Sequence, residues 1–308
     1  MLALNDLLLT PLYLGLFYLI AYAVRDRFSN AYTKRYFIPA LTVKFLGAIG
    51  LGLIYAYYYG GGDTFNYYHH SKLIHQAFDY SFGAGLKLLM ASGGEYDPET
   101  SRFTTYMFWY ESGSAEYLVA RFAAAIGLLC FNTYMVIGLF FALISFSGVW
   151  AMYITFVKIR PQLYKELATA VLFVPSVFFW GSGLMKDSLC LGALGWLFYT
   201  FYKGTIQKRS LLQCAIIGLS VSYILVRIKV YILLCFLPPA LLWVFNENSS
   251  LIKNTLLRVM AKPILIGIGG ALAFYAATNL TPKVMSVMML TRLVNAAKWY
   301  RNTSTKPA

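Results

Sequence analysis

"YLVARFAAAIGLLCFNTYMVIGLFFALISFSGVWAMYITFV", residues 117–157, holds a single charged side chain, Arg121. A bilayer crossing needs about 20 consecutive apolar residues, so this block is too long for one. Asn132 and Thr133 interrupt it with a helix break and an N-cap. The reading is a helix over 117–131 that lies at, or dips into, the outer interface, followed by a full crossing over 133–157. Two full crossings here would invert every loop that follows.

The rest of the chain repeats this texture. Its 308 residues are 59% hydrophobic, 18% aromatic and 12% charged, and an average soluble domain is about a quarter charged. The apolar runs are continuous, which excludes the short alternating segments of a membrane β-barrel. The fold class is therefore all-α: a polytopic helical membrane protein with about eight crossings, near 7–24, 41–59, 133–157, 167–181, 188–203, 210–226, 230–245 and 262–280. All 308 residues form one integral membrane domain in this reading, with no internal repeat of the transporter kind.

In a soluble chain, a net charge of +14 would suggest nucleic acid. Here the placement of the charge says otherwise, and no nucleic-acid partner is expected. One set of loops and helix ends, from Arg25 to Lys262, holds fourteen of the 26 basic residues and only Asp26, Glu166 and Glu247 of the 12 acids. Lys44 is counted in that set. By the positive-inside rule this side is cytoplasmic, which puts the N-terminus outside the cytoplasmic membrane. The first run places its charges after its apolar residues, as an uncleaved helix does. Cys130, Cys190, Cys214 and Cys235 lie in apolar runs without metal-type spacing and read as packing residues.

The one sizeable loop, 60–116, falls outside. Within it "AFDYSFGAGLKLLM" (77–90) reads as an amphipathic interfacial helix and "ASGGEYDPETSRF" (91–103) as a turn-rich loop. The tail 282–308 is apolar and basic, is placed on the outer face, and stops abruptly in the manner of a fragment.

Three segments could carry chemistry on that face. In "GGGDTFNYYHH" (60–70), Asp63 could accept a proton from a hydroxyl or hold a divalent metal beside a phosphate. His69 and His70 join Asp63 as catalytic candidates, with His75 close behind, and His69, Lys72 and Gln76 share a helical face. The plainer reading makes the glycines a helix end and Asp63 the cap of the next helix. In "VPSVFFWGSGLMKDS" (174–188), Lys186 and Asp187 open a helix whose N-terminus suits a phosphate; alternatively, Asp187 complements the dipole and Lys186 snorkels. In "SYILVRIKVYILLCF" (222–236), Arg227 and Lys229 interrupt an apolar run, where charge is costly; two snorkelling side chains at a turn would also do so. Arg121 and Arg102 add cations on the same side. There is no H-E-x-x-H or Ser-His elbow to suggest a hydrolase.

The order of these features resembles that of the GT-C superfamily of membrane glycosyltransferases: a helix into a large first outer loop with an early acid ("GGGDTFNYYHH"), an interfacial helix with an arginine ("YLVARFAAAIG"), short crossings around "VPSVFFWGSGLMKDS", and a basic helix end ("VRIKVY"). The resemblance spans about residues 41–245. The chain is also similar to bacterial envelope proteins that share the "GGDT…Y" and "PS…FWGSG…KDS" phrases. The GT-C resemblance implies transfer of a sugar from a polyprenyl-phosphate donor, a lipid-linked sugar phosphate, in contact with membrane lipid. Asp63 would be the general base or metal ligand, with Asp79 or Glu116 as a second acid. Arg227 and Lys229 would hold the donor phosphate, with Lys186 assisting. The competing expectation is a non-catalytic transporter, flippase or assembly factor for lipid-linked intermediates.

Overall fold

The computed structural model describes residues 3–110, 115–248, 263–264, 266–271 and 275. Among these the chain is helical throughout. It divides into two compact units, Met1–Lys229 and Val230–Ala308. The first carries the candidate site.

Helix α1 (Leu4–Phe28) has Asp6 in its first turn and Arg25 and Arg27 in its last, matching the helix dipole at both ends. It ends at Ser29, whose backbone is extended. The Asn30 side chain then accepts the Tyr32 and Thr33 amides, an Asx turn that reverses the chain into α2 (Lys34–Leu53). The two helices pair through Phe17 stacked on Phe45 and a 2.8 Å bond between the Tyr18 and Thr42 hydroxyls. A π-helical turn, Ile54–Tyr58, finishes α2.

Gly60, Gly61 and Gly62 follow with φ of 65°, 152° and 115°. Only glycine takes such a run without strain. It turns the chain into α3 (Asp63–Tyr80), after which come α4 (Phe82–Met90), α5 (Ser101–Thr104) and α6 (Ala115–Gly127). These four pack into a cluster of their own around Ile74, Ala77, Leu88, Met107, Tyr117 and Ala124. The amphipathic segment 77–90 is not one helix: it breaks at Ser81, and Gly85 packs so tightly on Phe78 that a Cβ there would lie 2.3 Å from the ring.

The break at 131–133 is where the sequence places it. Phe131 and Asn132 take left-handed φ of 52° and 48°, and α7 runs from Tyr134 to Ile159. Its cap comes from elsewhere: Thr133 makes no capping bond, while Asp6 of α1 accepts the Met135 amide at 2.9 Å. Within the apolar window of α7, 72% is buried, against 11% for α1, so α7 is the central post of this unit and α1 lies at its edge.

After α7 come α8 (Tyr164–Leu172), α9 (Pro175–Trp180) and α10 (Lys186–Phe201), which a π-helical stretch, Tyr202–Ile206, extends. Helix α11 (Leu211–Asn248) has a non-helical backbone at Lys229, φ −146° and ψ 76°, where the two units meet in sequence.

The count of about eight crossings is corrected here. Among the described residues four helices are long and apolar enough to cross a membrane: Leu4–Phe28, Lys34–Tyr58, Tyr134–Ile159 and Leu211–Glu247. Pro175 splits 167–181 into two short helices, because the residues before a proline leave the α conformation. The 188–203 run gives 16 α-helical residues, extended by tyrosine and Lys203 rather than by apolar length. The 210–226 and 230–245 runs follow one another in the helical stretch Leu211–Asn248, broken at Lys229 between them, where the backbone is not helical. Most of 262–280, and all of 282–308, lie outside the described residues. Of the four cysteines, Cys130, Cys190 and Cys214 are buried as packing residues should be, but Cys235 is exposed.

Lys44 also moves. It does not belong to a basic loop; it is buried inside α2, with 1% of its surface exposed. Its ammonium donates to Ser145 Oγ (2.9 Å), Gly181 O (2.8 Å) and Val177 O (3.3 Å). The last two are carbonyls at the C-terminal end of α9. Val177 O also accepts the Gly181 amide (3.2 Å), so the carbonyl that depends on Lys44 is Gly181 O, just past the helix end; a broken helix in apolar surroundings needs such donors within the protein.

Candidate functional site

The starts of α1, α3, α6, α7 and α10 gather at one end of the first unit. Tyr13 donates to Leu129 O (2.6 Å), Thr64 bonds the Tyr134 hydroxyl (2.9 Å), and Lys186 pairs with Glu116 (3.1 Å). Arg25, Arg27, Lys34 and Arg35 lie at the other end, where Trp150 donates to Phe28 O (2.9 Å) and Arg35 stacks over Tyr164.

Asp63 is the first residue of α3, exposed, with no ion pair among the described residues. The helix has no side-chain cap, so Asp63 complements the dipole but does not cap. One turn on, the Tyr67 hydroxyl is fully buried and has no hydrogen-bond partner among the described residues. Burial pushes its pKa up, and the carboxylates of Asp63, Glu116 and Asp187 push it further. Tyr67 thus lies within electrostatic reach of three acids, from α3, α6 and α10. Nothing in the sequence distinguishes it from the other 24 of its 25 tyrosines; only the packing of α3 on α6 and the approach of the start of α10 do.

The cations around this point are engaged. Lys186 pairs with Glu116 and ties α10 to α6. Lys229 pairs with Asp187, and the kink at Lys229 lets the side chain reach it. Arg227, two residues earlier on α11, makes no ion pair among the described residues and lies within electrostatic reach of Arg121. The Arg121 guanidinium donates to the carbonyls of Met90 (3.1 Å) and Ala91, closing the C-terminal end of α4, while its Nε is buried without a partner. Burial pulls the Arg121 pKa down, and Arg227 adds to that. Beside this pair, α6 and α11 leave an apolar groove of about 520 Å³ lined by Leu118, Phe122, Leu219 and Tyr223. Arg102 stands apart, its guanidinium 3.5 Å over the Tyr80 ring.

The two histidines of "YYHH" face opposite ways. His69 is exposed on the same face as Lys72 and Gln76. His70 is fully buried between Phe108 and Trp109, with ring centroids at 4.7 and 5.0 Å, and neither of its nitrogens has a hydrogen-bond partner. Burial pulls its pKa from 6.5 to about 4, with His69 adding a little. The fold therefore holds neutral imidazole. Between pH 6.5 and about 4 the unfolded chain binds the extra proton, so stability is full above pH 6.5 and falls as pH drops through that window, by up to about 3 kcal/mol. Unfolding midpoints should decline from pH 7 to 4 in the native chain and decline less in His70→Phe. Equal slopes would remove His70 as the cause.

Among the described residues no three His, Cys, Asp or Glu side chains gather as metal ligands. Asp63 belongs to no such group among the described residues. Compared with known proteins, the chain matches no family model, no curated protein and no solved structure.

Proposed function

We propose that this chain is a membrane glycosyltransferase, or a related polysaccharide polymerase, that uses a polyprenyl-phosphate-linked sugar on the extracytoplasmic face of the cytoplasmic membrane during envelope glycan assembly. In this reading it is a multi-pass protein with its N-terminus outside. The observation that carries the reading is the unpaired Asp63 carboxylate beside two ion pairs, Lys186–Glu116 and Lys229–Asp187, and a buried orphan hydroxyl. Asp63 is the general base for the acceptor hydroxyl, free to take a proton because no cation holds it.

The donor phosphate is assigned to Arg227 with Arg121 rather than to Lys186 and Lys229. Two neighbouring guanidinium groups invite an anion, and the adjoining groove of α6 and α11 is apolar, as a polyprenyl chain requires. Lys186 and Lys229 then act by holding the two acids in place.

The test is sugar transfer by the purified chain in liposomes that contain a polyprenyl-phosphate sugar. Asp63→Asn should lower the rate by about 10²–10⁴-fold with an unchanged unfolding temperature. Full activity in that variant overturns the base assignment. A second reading, a non-catalytic transporter, flippase or assembly factor, draws on the closure of Glu116 and Asp187 in ion pairs. It predicts movement of lipid-linked sugar between leaflets, or none, without new glycosidic bonds.

A further inference from the structure

At the basic end of the first unit, α1, α2, α7 and α10 enclose a cavity of about 760 Å³. Its walls are aromatic and aliphatic: Phe17, Phe37, Phe146, Trp150 and Trp196 line it, with Ala21 and Ile154 between them. The two indole N–H groups are already spent, on Phe28 O and Ser147 Oγ, so the walls offer an occupant apolar contact and little else.

The mouth is different. Arg27 and Lys158 both line the cavity there. Neither has a carboxylate within ion-pair distance among the described residues, and the nearby Asp26 is already shared by Arg25 (3.5 Å) and Lys34 (2.7 Å). Lys158 lies 5.6 Å and Lys203 5.7 Å from the centroid of one ring, that of Tyr199, which also lines the cavity. Arg209 is within electrostatic reach of Lys158 as well. Lys158, Lys203 and Arg209 therefore cluster beside the cavity and Arg27 lines it from α1, with none of the four in an ion pair among the described residues. Like charges so placed repel one another unless an anion joins them.

We infer that this cavity binds one anionic phospholipid, one of its acyl chains between α1 and α7 and its phosphate held by Arg27 and Lys158. The occupant follows from the two halves of the site together. An apolar channel of this volume between helices long enough to cross a membrane takes a hydrocarbon chain. A mouth that carries only positive charge selects an anionic headgroup over a zwitterionic one. The site lies at the end of the unit opposite Asp63, so it stands or falls independently of the glycosyltransferase reading.

The experiment uses the full chain purified in detergent and exchanged against defined amounts of dioleoyl phosphatidylglycerol or dioleoyl phosphatidylcholine, with bound lipid counted by native mass spectrometry. One phosphatidylglycerol per chain should be retained about 30-fold more tightly than phosphatidylcholine, the ratio that two headgroup-facing cations supply. The double variant Arg27→Gln/Lys158→Gln should lose that preference, while Lys158→Arg keeps it. Unfolding temperatures show that both variants are folded. Equal retention of the two lipids, with several copies per chain, would mean annular lipid only and would overturn the site. Displacement of the lipid by millimolar inorganic phosphate would also overturn it, because a free anion would then suffice. So would an unaltered preference in the folded double variant.

Discussion

Gly148→Val yields no folded protein, or protein whose unfolding temperature drops by more than any other single change described for α7. A Cβ at position 148 would sit 1.9 Å from the carbonyl oxygen of Gly192 and 2.6 Å from its carbon. In the other direction, a Cβ on Gly195 would sit 2.0 Å from Gly148 O, and one on Gly192 2.8 Å from Ile144 O. Helices α7 and α10 thus touch backbone to backbone at three glycines. What the new side chain meets is main chain, which has no rotamer to turn, so the helices must part. Overpacking a core by a methylene or two costs about 1–3 kcal/mol where side chains can yield; here the cost is higher. Small residues are also how membrane helices approach closely without a hydrophobic force between them. The control is Gly15→Ala in α1, where nothing lies within 4 Å of the added carbon. It should be neutral or stabilise by up to about 1 kcal/mol through helix propensity. Thermal unfolding and gel-filtration profiles in detergent compare the two. A Gly148→Val chain as stable as the native one would disprove the close crossing.

Lys44→Met is expected to destabilise the chain by about 3 kcal/mol and to loosen α9 before anything else unfolds. Methionine matches the length of the lysine stem but donates nothing. Gly181 O and the Ser145 hydroxyl would lose their donor in a site closed to water, while Val177 O keeps the Gly181 amide. Each buried acceptor left unsatisfied costs about 1–3 kcal/mol. The gain from no longer burying an amine offsets part of this. Hydrogen exchange should rise first at residues 177–185, and Lys44→Gln, which keeps one donor group, should fall between the two. Protection at 177–185 equal to that of the native chain would show that Lys44 does not hold the broken helix.

These two sites show where reading the chain works and where it stops. The glycine-to-backbone contacts at Gly148, Gly192 and Gly195 leave no local trace, because each glycine is ordinary within its own helix and only the crossing of α7 with α10 makes it indispensable. Lys44 misleads for a related reason. A lysine near the start of an apolar run reads as a membrane-surface residue, and its real partners are 101, 133 and 137 residues away. In "YYHH", helical periodicity alone sets His69, Lys72 and Gln76 on one face. That the opposite face buries His70 against Phe108 and Trp109 depends on where the segment after α5 folds back.

The sequence by itself determined the helical class, the long apolar runs, the break at Asn132 and Thr133, the glycine turn before Asp63, and the gathering of basic residues at one set of helix ends. All of these follow from composition and short-range periodicity, which act within a few turns of chain. Only the tertiary structure decided which runs are long enough to cross, that Asp6 caps α7 from another helix, that Lys186 and Lys229 are held by Glu116 and Asp187, and that Tyr67 lies within electrostatic reach of three carboxylates. Those depend on helix-against-helix packing between distant segments, and a buried polar group takes whatever partner that packing brings within about 3 Å.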